Sequence, residues 1–168
     1  DSEYRLARVL AFRDPFATEV VLNAGYQLSN SLISIGQGGW LGVGLGNSFQ
    51  KSFFLPEAHT DFIFAILVEE LGIIGGLILI LLFVALFLGL ISIMHESFLK
   101  ARFFQGYVVF GIFMLTAIQM LFNIAVNIGL LPTKGLTLPF ISYGGTSIII
   151  MLSLMGIVLR INNENKSL

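Results

Sequence analysis

The run Leu55-Pro56-Glu57-Ala58-His59-Thr60-Asp61 ends in a carboxylate placed directly before a long apolar stretch. A carboxylate held partly desolvated at such a boundary can act as a general base, because burial disfavours its charged form and moves its pKa up toward neutrality. The same residue can instead serve helix stability alone. Pro56 blocks a helix before it, Thr60 or His59 supplies a cap, and an acid in the first turn is favoured by the helix dipole. His59 can cap, orient Asp61 or hydrogen-bond a ligand.

Other polar residues keep company with Asp61. On a helix starting at Asp61, eight steps of 100° bring Glu69 to within about 80° of it, while Glu70 falls opposite. Two acids inside an apolar helix must face protein or water, so Glu69 is expected near the same cavity, with interhelical hydrogen bonding as its structural alternative. Thr116, Gln119, Asn123 and Asn127 recur at helical spacing. Lipid satisfies none of these side chains, so the stripe faces other helices, as glue, or a wet cavity, as substrate lining. Lys134 is a lone cation beside Pro132-Thr133, either a snorkelling anchor or a partner for an anionic headgroup.

These residues need elements to hold them, and composition says which. With 56% hydrophobic and 11% charged residues and a mean hydropathy of +0.91, the chain is far more apolar than a soluble domain. Eight of the ten acids lie at or before Glu70, while Leu71 to Met94 and Phe103 to Thr133 carry no charge. A bilayer core of about 30 Å needs about 20 apolar residues per helix, so both stretches qualify as spans. A third begins near Ser142, after Pro139 and before Gly144-Gly145, and ends near Arg160. The expected architecture is an all-α polytopic membrane protein with helices over about 61–94, 104–127 and 142–160 and a large extracytoplasmic loop over 1–60.

Within that loop, Asp14-Pro15 predicts a helix start leading through Val20, Ala24, Leu28 and Leu32 to a stop at Gly36. Six glycines between Gly36 and Gly46 surround Trp40 and form a turn, with the indole at the lipid interface. Gly42-Val43-Gly44-Leu45-Gly46 lacks the strand and the spacing of a phosphate loop. Gly72, Gly75 and Gly76 give a smooth face for close helix packing. Lys100, Arg102, Arg160 and Lys166 put the first turn between spans and the C-terminal tail in the cytoplasm, and 1–60 and 128–141 outside.

Cysteine is absent and the net charge is -1, which removes thiol chemistry and leaves no basic footprint for nucleic acid. His95 falls on the opposite side of the membrane from His59, which excludes a His-rich metal site. The chain opens on Asp and shows no signal segment, and is expected to be the C-terminal part of a longer membrane protein.

Five strings resemble the SEDS family (shape, elongation, division, sporulation): Gly25-Tyr26-Gln27, Leu55 through Ala65, Glu69-Glu70-Leu71-Gly72, Leu131 through Pro139, and Ile141-Ser142-Tyr143-Gly144-Gly145. The resemblance covers nearly the whole chain. It is closer to the division branch than to the elongation branch, on Glu57-Ala58 before His59, Gln50-Lys51 and Thr133-Lys134-Gly135. It implies a partial SEDS helix bundle: the large outer loop and last three of ten helices in a bacterial inner-membrane protein at the division septum. The isolated segment would then be inactive.

The implied activity is peptidoglycan glycosyltransfer, polymerising lipid II into glycan strands by a single inverting displacement with undecaprenyl pyrophosphate leaving. The family's essential outer-loop aspartate falls on Asp61, as general base. Substrate contacts are expected from Lys134, Lys51, Gln27, His59, Glu57, Glu69 and Ser142, with Lys134 first and Lys51 next, then Arg13, against the departing diphosphate. A divalent cation (Mg or Mn) held by Asp61 or Glu57 is an open alternative for sharing that charge. The implied partners are lipid II, a class B penicillin-binding protein acting as transpeptidase, and other divisome proteins. A lipid II flippase or transporter would use the same polar cavity without needing the outer carboxylate, and a noncatalytic divisome scaffold would need neither.

Overall fold

The computed structural model describes residues 26–48, 60–132 and 135–167. Those residues form four helices and no strand: α1 (Tyr26–Gly38), α2 (Ile63–Leu99), α3 (Phe103–Asn127) and α4 (Gly145–Lys166). The last three are long and apolar enough to cross a membrane. Helix is the form such sequences take in lipid, where every backbone N–H and C=O must be satisfied within the segment.

α2 is the central element, packed on α1, α3 and α4. Phe64, Val68, Leu79 and Phe83 of α2 meet Met120 of α3 and Leu138 of the following loop. Further along, Leu90 packs with Val109 and Ile112 of α3 and with Val158 and Ile161 of α4. Outside these contacts the helices present leucine and isoleucine, among them Leu77, Ile78, Leu81, Leu82, Ile149 and Leu152. That surface suits lipid or further apolar helices.

The ends have local causes. α3 closes in a Schellman motif: Leu130 N–H donates to Ala125 O at 2.7 Å and Gly129 N–H to Val126 O at 3.1 Å, with Gly129 at φ +74°. α2 continues past the uncharged stretch through His95, Glu96 and Ser97 to Leu99. There Lys100 pairs with Glu96 at 3.2 Å and donates to Asn165 O, while Asn165 Nδ2 donates to Ser97 Oγ at 2.8 Å. These contacts tie the end of α4 to the α2–α3 turn.

Three expectations are corrected. Gly36 does not stop the first helix, which continues to Gly38 and turns at Gly39 (φ +52°); the start proposed at Asp14-Pro15 lies outside the described residues. Asp61 is not in the first turn of α2, which begins at Ile63 with no cap from its own N-cap residue, Phe62. Gly72 is not merely a packing glycine: it interrupts α2 at φ +73°, ψ -177°, a conformation open essentially to glycine alone.

The break at Gly72 is filled by the glycine-rich turn. In an uninterrupted helix Ile73 and Ile74 would donate to the carbonyls of Glu69 and Glu70. Instead Ile73 N–H donates to Gly39 O at 2.9 Å and Ile74 N–H to Trp40 O at 3.4 Å, while Glu69 O and Glu70 O accept from Val43 N–H at 2.9 Å and Gly44 N–H at 3.0 Å. The turn stands in for two rungs of the helical ladder, taking both donors and both acceptors. This needs backbones in contact, since a Cβ at Gly72 would run into the Trp40 carbonyl and one at Gly42 into that of Glu70.

Candidate functional site

Asp61 is half-buried in the turn Thr60–Phe62 that leads into α2. Its backbone carbonyl accepts from two side-chain amides of α3, Asn123 Nδ2 at 3.0 Å and Asn127 Nδ2 at 2.9 Å. Asn127 Oδ1 in turn accepts from Ala65 N–H at 3.1 Å. That N–H is one of the donors a helix start leaves without an internal partner. α3 therefore supplies the cap that Thr60 and His59 were expected to give. This is why Asp61 sits before the helix, its carbonyl drawn sideways to α3 instead of starting the ladder.

The loop after α3 is held by the same face. Asn123 Nδ2 also donates to Leu136 O at 2.5 Å, and Gln119 Nε2 donates to Thr137 O at 3.0 Å and Thr137 Oγ1 at 3.2 Å. Ser142 Oγ donates to Thr60 O at 2.6 Å and accepts from Leu138 N–H at 2.6 Å. The two loops are thus laced together, and Gly135 comes against the carboxylate: a Cβ there would lie 3.4 Å from Asp61 Oδ2.

Of the expected site residues, the structure brings Asp61, Ser142 and the 135–138 loop together. The expected angle of about 80° between Glu69 and Asp61 holds only on one continuous helix, whereas α2 starts at Ile63; Glu69, buried near the Gly72 break, accepts from Ser48 Oγ at 2.6 Å through Oε2. Gln27 lies in the first turn of α1, half-buried, one turn before Ser31, whose Oγ donates to Asn127 O at 2.9 Å. Lys51, Glu57, His59, Lys134 and Arg13 lie outside the described residues. Among the described residues no group of three or more His, Asp or Glu side chains converges.

The residues that sequence reasoning valued too little are Asn123 and Asn127. Their spacing was visible as a polar stripe, but their acceptors are backbone carbonyls 62 and 66 residues away in sequence. A cavity of about 670 Å³ between α3 and α4, lined by Phe104, Val108, Ile157 and Arg160 among others, lies toward the opposite end of α3 and shares no lining residue with this site.

The fold and these strings have known counterparts. The chain is 55% identical over 163 residues to a probable peptidoglycan glycosyltransferase FtsW of Saccharophagus degradans, covering 97% of this chain and 42% of that protein. It is 49% identical over 164 residues to the protein of the same name in Pseudomonas fluorescens, covering 98% and 40%. It thus spans about two-fifths of the length of the relatives it matches. A solved structure of a peptidoglycan synthase complex that coordinates polymerization and crosslinking contains a chain superposing with a TM-score of 0.71 at 29% identity, over 94% of this chain and 41% of that one. The family model FTSW_RODA_SPOVE, cell cycle protein, matches residues 1–167, and the chain belongs to that family, the SEDS proteins.

Proposed function

We propose that this chain carries the catalytic outer face of a peptidoglycan glycosyltransferase that polymerises lipid II during cell division. Asp61 is the general base. As the acceptor sugar hydroxyl attacks the anomeric carbon of the donor, its proton passes to the Asp61 carboxylate. The bond from that carbon to the diphosphate oxygen breaks, the centre inverts, and undecaprenyl pyrophosphate leaves with the electron pair. Lys134 and Lys51 offset the charge developing on the diphosphate, the term that preorganised cations supply best. His59, Glu57 and Gln27 contribute substrate contacts around that centre.

The observation that carries this reading is the meeting of Asp61 Oδ2 with Gly135, the residue after Lys134. Gly135 follows Lys134 in sequence, so the proposed base stands against the loop whose preceding residue is the proposed cation. The relatives' names support the activity, and the synthase complex, which couples polymerization to crosslinking, supports a crosslinking partner, which we take to be a class B penicillin-binding protein. The distribution of lysine and arginine supports an inner-membrane orientation with Asp61 on the periplasmic side and α4 ending in the cytoplasm.

The test is the full-length protein with its cognate transpeptidase on purified lipid II, wild type against Asp61→Asn. Loss of a general base costs about 10² to 10⁴ in rate. Glycan strands made by the Asn variant at the wild-type rate would sink the assignment, and headgroup translocation in liposomes without polymerisation would replace it with a flippase.

A further inference from the structure

From the hydrogen bonds of α3 we infer that Asn123 and Asn127 are positioning residues that fix the Asp61 turn and the 135–138 loop at one working separation. The inference rests on Asp61 being the base.

A side-chain amide carries two N–H donors and one carbonyl acceptor. Asn123 Nδ2 reaches one acceptor on each loop, Asp61 O at 3.0 Å and Leu136 O at 2.5 Å. Asn127 Nδ2 reaches Asp61 O at 2.9 Å and, back along α3, Asn123 O at 2.9 Å and Asn123 Oδ1 at 3.2 Å, while its Oδ1 takes Ala65 N–H. Both side chains are at most 1% exposed. Buried amides are costly unless used, and here the Nδ2 groups bond to Asp61, to Leu136 and to the neighbouring Asn.

A purely structural pair could have been spent on any free backbone group along α3. Both amides instead converge on one carbonyl, that of the residue carrying the base, and one of them bridges directly to the loop that follows Lys134. The two asparagines are four residues apart, so they stack on one face of a rigid helix. The separation between the Asp61 turn and the 135–138 loop is therefore measured off α3. Misplacement of a catalytic group by about 1 Å costs on the order of 10²-fold in rate, and such a loss falls on the chemical step more than on substrate binding.

The experiment uses the full-length protein with its cognate transpeptidase and lipid II, comparing Asn123→Leu, Asn127→Leu, Asp61→Asn and the Asn127→Leu/Asp61→Asn double variant. The Leu variants are expected to lose about 10- to 100-fold in kcat with KM within about threefold, and to exchange amide hydrogens faster over 60–66 and 135–138. Since the asparagines act through Asp61, the double variant is expected to be no slower than Asp61→Asn alone. If either Leu variant fails to fold, Asn123→Ala or Asn127→Ala removes the donors without adding bulk or charge and is scored the same way. Unchanged kcat, a rise in KM alone, or a double variant slower by the full product of the single effects would overturn the positioning role while leaving the base in place. An active Asp61→Asn would instead remove the base, and the positioning role with it.

Discussion

Ser142 closes the site with a single hydroxyl. It receives a bond from Leu138 N–H and gives one to Thr60 O, both 2.6 Å, in a residue only 2% exposed. Ser142→Ala leaves the buried Leu138 N–H without this bond, at a cost of about 1–3 kcal/mol, and takes one donor from the part-buried Thr60 C=O. The full-length Ser142→Ala protein should therefore melt lower in detergent, by several degrees, and Ser142→Thr should recover part of the loss. An unchanged melting temperature would show that water or a neighbour takes over both bonds. The Ile141–Gly145 string marked Ser142 from sequence as a site residue, but not its work on the backbone, because both partners lie in other turns. Asp61 was legible for a related reason: a charge at the edge of an uncharged stretch is visible without knowing the fold. Its exact seat was not, because it depends on Asn127 reaching across from another helix.

The spans were easy to see, since absence of charge over 20 residues has few other physical meanings. What sequence did not show was the interruption of α2. A glycine followed four residues later by another reads as a packing face, and Gly72 and Gly76 fit that pattern. A break looks identical until the segment that fills it is known. The filler here is the 39–44 turn, whose glycines seemed to mean only freedom to bend. Gly72→Ala must place a side chain at φ +73° and against the Trp40 carbonyl. Strain of this kind costs about 1–3 kcal/mol before the collision is counted. The variant of the full-length protein should be destabilised by at least ~2 kcal/mol in thermal or denaturant unfolding, whereas Gly89→Ala, which meets open space, should be nearly neutral. Equal behaviour of the two would show that the break relaxes into a continuous helix.

At the scale of the molecule, one end of the bundle holds the laced loops and the other a polar knot. Arg160 reaches Glu164 at 2.8 Å and Arg102 approaches the same carboxylate at 3.7 Å, next to the Lys100 and Asn165 contacts. Pairs of this kind contribute little energy singly, and here they gather the charged side chains at the ends of α2 and α4. Between the two ends α2 runs 37 residues, about 55 Å, well beyond the roughly 30 Å of hydrocarbon. The excess lies partly before Gly72, in the nine residues from Ile63 to Leu71 that join Asp61 to the break.

That short stub is fastened to α3 through Ala65 and to the long shaft through the 39–44 turn, which bonds Glu69 and Glu70 on one side of the break and Ile73 and Ile74 on the other. Phe64 and Val68 of the stub also share one core with Leu79 and Phe83 of the shaft, so the two are coupled across the joint. A thicker or thinner bilayer is accommodated by tilting a span, and a tilt of the shaft is handed on through the turn and this shared core to the segment that carries the carboxylate. Polymerisation by the full-length protein should accordingly show an optimum in acyl length, falling by more than about tenfold among liposomes whose acyl chains differ by four carbons, toward the ~10²-fold sensitivity of a misplaced catalytic group. A rate flat within about twofold across acyl lengths would mean that the joint takes up the tilt.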